Sequence, residues 1–183
     1  MSSNTVEQAV GGEAVAIRQE DAPKGEEKVV QDFDVNGGEL SLNNLDTKAS
    51  NVEIPGTIAA ADGKKYTVKK VGKSAMSGNT TLETIKLPMS VDRIMKEAMW
   101  GCMNLTSLIF GERGFRSVKE TKDGTVLVAS NGSKITLEKN CLKGTSKKLT
   151  IEVETKADKK AVKKQLKKAG NKHARVKVGY RMR

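Results

Sequence analysis

Histidine and tryptophan each occur once in this chain, cysteine twice and proline three times, and aromatic residues make up only 3% of it. Each scarcity excludes something. A structural zinc site needs about four nitrogen or sulfur ligands, and His173, Cys102 and Cys141, with no Cys-x-x-Cys spacing, do not supply them. Two cysteines in 183 residues are not a disulfide framework; both are expected as small buried side chains. No apolar run approaches the roughly 18 residues of a membrane helix. The N-terminus lacks the basic start and apolar segment of a secretory signal. Localisation therefore stays open between a protein kept inside the cell and a mature or truncated piece of a longer one. With few aromatics, the 37% hydrophobic content must form a core of aliphatics and Met, which suits a thin stacked fold better than a thick globule.

Catalytic chemistry finds equally little to use. His173 has no nearby carboxylate or serine with which to form a triad. Paired carboxylates such as Glu26-Glu27 sit in tails and surface turns, and neither Gly37-Gly38 nor Gly111-x-x-Gly114 has the spacing of a phosphate loop. No catalytic, cofactor-binding or metal-binding residue is nominated, no cofactor is expected, and the chain is read as not an enzyme.

Charge is abundant but local. The formal net charge is +11, and residues 155–183 carry twelve Lys and Arg against Asp158 alone, so the rest of the chain is neutral overall. The lysines at 159, 160, 163, 164, 167 and 168 come as pairs four residues apart, on a helix expected over about Ala157–Ala169. Its apolar stripe is Ala161, Val162, Gln165, Leu166 and Ala169, with Thr155 or Asp158 at its start and Gly170 as its stop.

The organising feature is a stretch that repeats itself. Val68, Val71, Ala75, Met76, Gly78, Leu82, Ile85 and Leu87 recur as Val91, Ile94, Ala98, Met99, Gly101, Leu105, Leu108 and Phe110, each 23 residues on. A period of this size belongs to leucine-rich solenoids, in which each coil buries its apolar edge against the next. The Leu-x-x-Ile/Leu-x-Leu/Phe segments are expected as strands with these side chains inward, and Ala-Met-x-Gly as the returning side of the coil. Met76, Met99, Leu82, Ile85, Leu105 and Leu108 are assigned to the core. A degenerate third repeat, Ile135-x-Leu137-x-x-x-Cys141-Leu142-x-Gly144, places Cys141 where the close-packed Ala stood, with Leu149–Val153 as its strand.

Around this core, Phe33-x-Val35 and Leu40-x-Leu42 flank Asn36-Gly37-Gly38, the pattern of a hairpin, expected to cover the N-terminal end. A second hairpin is expected from Thr57–Ala59 and Tyr66–Val68, and a strand at Val126–Val128. Residues 1–31 read as a disordered tail or linker, with a short helix over Val6–Arg18 as the alternative. The expected fold is α+β and strand-rich. It comprises a tail (1–31), a short leucine-rich-repeat solenoid of 23-residue repeats with its hairpin cap (32–154), and a basic strand-helix-strand cap (155–183) ending in Ala174–Val178.

The run Leu87-Pro88-Met89-Ser90-Val91-Asp92-Arg93-Ile94, followed by Ala98-Met99-Trp100-Gly101-Cys102-Met103-Asn104-Leu105-Thr106-Ser107-Leu108, resembles the BspA-like leucine-rich repeats of bacterial surface proteins. The resemblance covers roughly residues 50–178 and includes the lysine-rich closing element. It departs at Met76 and Met99, where the family has Phe, and at Met95, where Gly is usual. It implies a cell-surface or secreted protein that contacts a protein ligand on a host or neighbouring cell. On the outward side of the strands, Thr84, Lys86, Ser107 and Ile109, with Trp100 on an adjoining turn, are the candidate protein-binding residues. The alternative is a polyanion-binding module (cell-wall polymer, anionic membrane or nucleic acid) using Lys159, Lys160, Lys163, Lys164, Lys167 and Lys168. No specific nucleic-acid site is expected, because the helix offers no interleaved aromatics for stacking. A monomer is expected.

Overall fold

The computed structural model describes residues 5–7, 14–18, 29–36, 39–59, 63–88, 90–111, 117–121, 124–128 and 135–179. In chain order the elements are β1 (Thr5–Glu7), β2 (Ala14–Arg18), β3 (Val29–Asn36), β4 (Glu39–Thr47), β5 (Asn51–Glu53), β6 (Thr57–Ala59), β7 (Lys65–Val71) and β8 (Thr84–Leu87). They continue with β9 (Arg93–Ile94), β10 (Ser107–Phe110), β11 (Ser117–Thr121), β12 (Gly124–Val128), β13 (Thr136–Leu137), β14 (Thr150–Val153), α1 (Lys156–Ala169) and β15 (Arg175–Val178).

Each coil visits three ladders in turn. The first is a sheet in which β4, β7, β9 and β13 lie side by side in parallel. The second is a column of tight turns. The third is a five-stranded parallel sheet in the order β15-β14-β10-β8-β5. Parallel strands need a crossover between them, and here the rest of the coil provides it.

The alternation expected for the strands holds. In β8 and β10, Ile85, Leu87, Leu108 and Phe110 point inward and are buried, whereas Thr84, Lys86, Ser107 and Ile109 are half-buried on the outer side. Burying each such aliphatic side chain is worth about 1.5–3 kcal/mol. These residues belong to one continuous core running from Phe33 to Val176. All six residues assigned to the core (Met76, Leu82, Ile85, Met99, Leu105 and Leu108) are at most 2% exposed.

The turn column is held by backbone hydrogen bonds from coil to coil. The N–H of Leu45 donates to the carbonyl of Ala75, Met76 to Ala98, Met99 to Cys141, and Leu142 to Ala169, at 2.8–2.9 Å. Cys141 thus takes the place of the small alanines, fully buried. Two residues of each turn are left-handed: Ser74, Glu97 and Asn140 (φ 56, 59 and 60°), and Gly78, Gly101 and Gly144 (φ 78, 78 and 77°). At Gly144 glycine is required twice over. Besides the positive φ, a Cβ there would stand 3.1 Å from the backbone nitrogen of Gly101.

β8 and β10 pair Thr84 with Ser107, and the side chain of Thr106 reaches the Glu83 carbonyl 23 residues earlier. The next coil is offset further, since Ser107 pairs with Thr150 and Arg93 with Thr136, 43 residues apart. The difference is carried between β10 and β13, where the β11–β12 hairpin leaves the coil path.

Several expectations meet the structure as stated. β3 and β4 form the hairpin, with Phe33 opposite Leu42, and β6 and β7 form the second, with Thr57 opposite Thr67. The turn residues Gly37, Gly38, Asp62 and Asp123 lie outside the described residues. Thr155 caps α1 in a reciprocal box with Asp158, and Gly170, left-handed at φ 93°, ends it.

Of the first 31 residues, 5–7, 14–18 and 29–31 are described, and they are strands rather than the short helix over Val6–Arg18 that was the alternative. β1 pairs with β2, and β2 pairs antiparallel with β3, Val15 facing Phe33. The short apolar run Val15-Ala16-Ile17 is too small to hold a core. An uncovered β3 edge, however, presents a row of backbone donors and acceptors to which such a run can add.

Candidate functional site

The outward side of the five-stranded sheet forms two rows whose order is set by strand register. One row is Asn51, Thr84, Ser107, Thr150 and Arg175. The other is Glu53, Lys86, Ile109, Glu152 and Lys177. Neighbouring strands lie about 4.8 Å apart, so each row offers a side chain at every step. The first row is uncharged and hydrogen-bonding up to Arg175. The second carries charge of alternating sign on either side of Ile109. Lys86 is tied to Glu53 by an ion pair of 2.8 Å, an exposed contact of the kind worth less than about 1 kcal/mol.

Beside that ion pair, at the C-terminal ends of β5 and β8, a groove of about 330 Å³ opens between Glu53, Pro55, Thr57, Thr67, Lys86 and Pro88. The two prolines end their strands because they have no N–H for the ladder. They leave an apolar floor next to a charged rim.

The structure therefore brings four of the sequence-nominated residues together: Thr84, Lys86, Ser107 and Ile109 share one face, in register. It does not bring Trp100 to them. Trp100 sits in the turn column, where its carbonyl accepts from the Gly78 N–H at 2.7 Å. It is 42% exposed, with the Lys143 ammonium 5.2 Å from its ring centre. The residues that complete the two rows (Asn51, Glu53, Thr150, Glu152, Arg175 and Lys177) escaped sequence reasoning. Their strands were legible, but the periodicity linking them is interrupted by insertions before β7 and before β13.

The helix lysines nominated as polyanion ligands line α1, with Lys160, Lys163, Lys164, Lys167 and Lys168 exposed and Lys159 half-buried. Val162, Leu166 and Ala169 anchor the helix in the core, and the Gln165 amide donates to the Ile135 carbonyl while accepting from the Leu137 N–H, both at 2.7 Å. Lys167 and Lys168 stand in the last turn, where cations complement the helix dipole.

Burial raises both thiols above their ordinary value of 9.0: Cys102 to about 11 and Cys141 to about 12. They are inert structural groups. Among the described residues, no group of three or more His, Cys, Asp or Glu is placed to hold a metal, and no helix is long and apolar enough to cross a membrane.

The chain is similar to bacterial leucine-rich repeat proteins. Two of these are leucine-rich repeat proteins from Bacteroides: one from Bacteroides capillosus (21% identity, TM-score 0.42, covering 46% of this chain and 64% of that one) and one from Bacteroides ovatus (16%, TM-score 0.36, 72% and 37%). A third is a leucine-rich cell surface protein from Faecalibacterium prausnitzii (18%, TM-score 0.41, 44% and 21%). The matched part is less than two thirds of each of those chains. No family model and no curated protein matches the sequence.

Proposed function

We propose that the chain is a non-enzymatic protein-binding and adhesion module of the leucine-rich-repeat type, acting through the outer face of the five-stranded sheet. Its partner is a protein on a host or neighbouring cell surface. The observation that carries this reading is the register that aligns Thr84 with Ser107 and Lys86 with Ile109 across β8 and β10. Parallel stacking turns separate coils into one continuous, chemically varied surface, which is how solenoids recognise partners. The 330 Å³ groove at its edge supplies a concave anchor point.

In this reading the two coils with a 23-residue period are the core unit and the chain is monomeric. The β3–β4 hairpin closes the first coil and α1 with β15 closes the last, shielding apolar ends that a bare solenoid exposes. The test is binding of the purified chain to isolated cell-surface proteins, compared with the double variant Lys86→Ala/Ile109→Ala. A loss of at least about tenfold is expected for an interface centre; unchanged binding removes this face. A second reading, polyanion binding through the lysines of α1, is favoured by the exposure of Lys160, Lys163, Lys164, Lys167 and Lys168 and by the freedom of all six from ion pairs among the described residues.

A further inference from the structure

A second surface lies on the turn column, away from both sheets. The three turns read Lys73-Ser-Ala-Met-Ser-Gly78, Lys96-Glu-Ala-Met-Trp-Gly101 and Lys139-Asn-Cys-Leu-Lys-Gly144. The coil-to-coil hydrogen bonds fix their register: Ser74 N–H to the Lys96 carbonyl, Gly78 to Trp100, Gly101 to Lys143, and Asn140 to the carbonyl of Lys168. Every rung therefore starts with a lysine at the same corner, Lys73, Lys96 and Lys139, and the helix end sets Lys168 beside the last. All four are exposed. Lys96 meets Glu97 at 3.5 Å, and Glu97 is the one acidic residue in the three turns. Lys73, Lys139 and Lys168 make no ion pair among the described residues.

Like charges stacked on neighbouring rungs repel one another, and the carboxylates of Glu97 (3.5 Å from the Lys96 ammonium) and Glu138 (accepting from the Lys96 N–H at 3.0 Å) offset this only at the middle rung. A polymer with matching negative charges would relieve it. Rungs recur about every 4.8 Å, so the lysines form one continuous positive strip along which a linear polyanion can lie. Trp100, 42% exposed in the same column with the Lys143 ammonium over its ring, offers a partly open aromatic surface of the kind on which a sugar ring stacks.

Nucleic acid fits less well. Successive bases need a series of aromatic platforms, and this column has one.

We propose that the turn column is a binding track for a linear acidic polysaccharide, with Lys73, Lys96, Lys139 and Lys168 pairing carboxylates and Trp100 stacking against one ring. This surface is independent of the sheet face. The test uses the full chain with polygalacturonate, followed by calorimetry, with neutral dextran and single-stranded DNA as comparisons. The triple variant Lys73→Gln/Lys96→Gln/Lys139→Gln is set against Lys160→Gln/Lys163→Gln/Lys164→Gln, which changes net charge equally on α1. Unfolding midpoints verify that both variants fold.

The column variant should lose about tenfold or more in affinity and the helix variant less than about threefold, with binding weakened by salt. Trp100→Ala should lose a few-fold with its salt dependence intact. The proposal is overturned by absence of polygalacturonate binding, or by binding of dextran or DNA as tight as that of polygalacturonate. It is also overturned by equal loss in the two triple variants, which marks net charge alone, or by larger loss in the helix variant, which favours the α1 reading.

Discussion

The five-stranded sheet and the turn column are built from the same coils, but they solve stacking differently. In the sheet, strands keep their distance and every second side chain fills the core, so the structure depends on large buried side chains such as Ile85, Leu108 and Ile151. In the column, backbones approach until a Cβ at Gly144 would press on Gly101, and Ala75, Ala98, Cys141 and Ala169 are the side chains that fit. One ladder tolerates no loss of volume and the other no gain. The outer surfaces differ in the same sense. The sheet face varies from rung to rung, whereas the column repeats lysine.

The comparison can be broken most forcefully in the sheet. Leu108→Ala removes a fully buried inward side chain and should cost about 2–5 kcal/mol. Ile109→Ala, one residue on and facing outward, should cost about 1 kcal/mol or less. Chemical denaturation of both variants checks the pair, and equal losses would mean that the face is core rather than surface.

Next comes the column. Gly144→Ala forces an L residue into a left-handed turn and a 3.1 Å contact, and should cost about 2–3 kcal/mol. Gly78→Ala has the same φ with no atom within 4 Å, and should cost only the conformational share of about 1 kcal/mol. Equal costs would remove the argument from close approach.

The smallest effect near neutral pH concerns the thiols. Both are held above 9.0 by burial, so their contribution to stability is complete below that pH. It is lost as the pH climbs through about 11 and 12, because the unfolded thiols ionise first. At pH 8 a thiol reagent should label neither cysteine in the folded chain and both in denaturant. Rapid labelling of the folded chain would place a cysteine outside the core.

Much of this was written in the order of residues. The 23-residue recurrence identified the inward residues because burial acts position by position, and the Thr155, Asp158 and Gly170 signals bounded α1 because capping is local. The rows on the sheet face were half legible: Thr84 and Ser107, or Lys86 and Ile109, follow from the period. Glu53 and Lys177 do not, because insertions of different length separate their strands.

Trp100 was expected on a turn adjoining the strand row and stands in the turn column; the left-handed turn at Gly101 directs the chain around a corner between it and β10. The pairing of β1 and β2 with β3 was beyond local reading altogether, since an edge recruits a strand through backbone groups that carry no sequence signal.

By itself the sequence determined which side chains are buried, that coils stack, and where the chain must turn. Those properties depend on side-chain volume, polarity and φ preference, all local to a residue. Only the tertiary structure decided which outward residues become neighbours across the insertions that break the 23-residue period. Hydrogen bonds between coils set that register, and it turned three separated lysines into one column and scattered strand positions into one face.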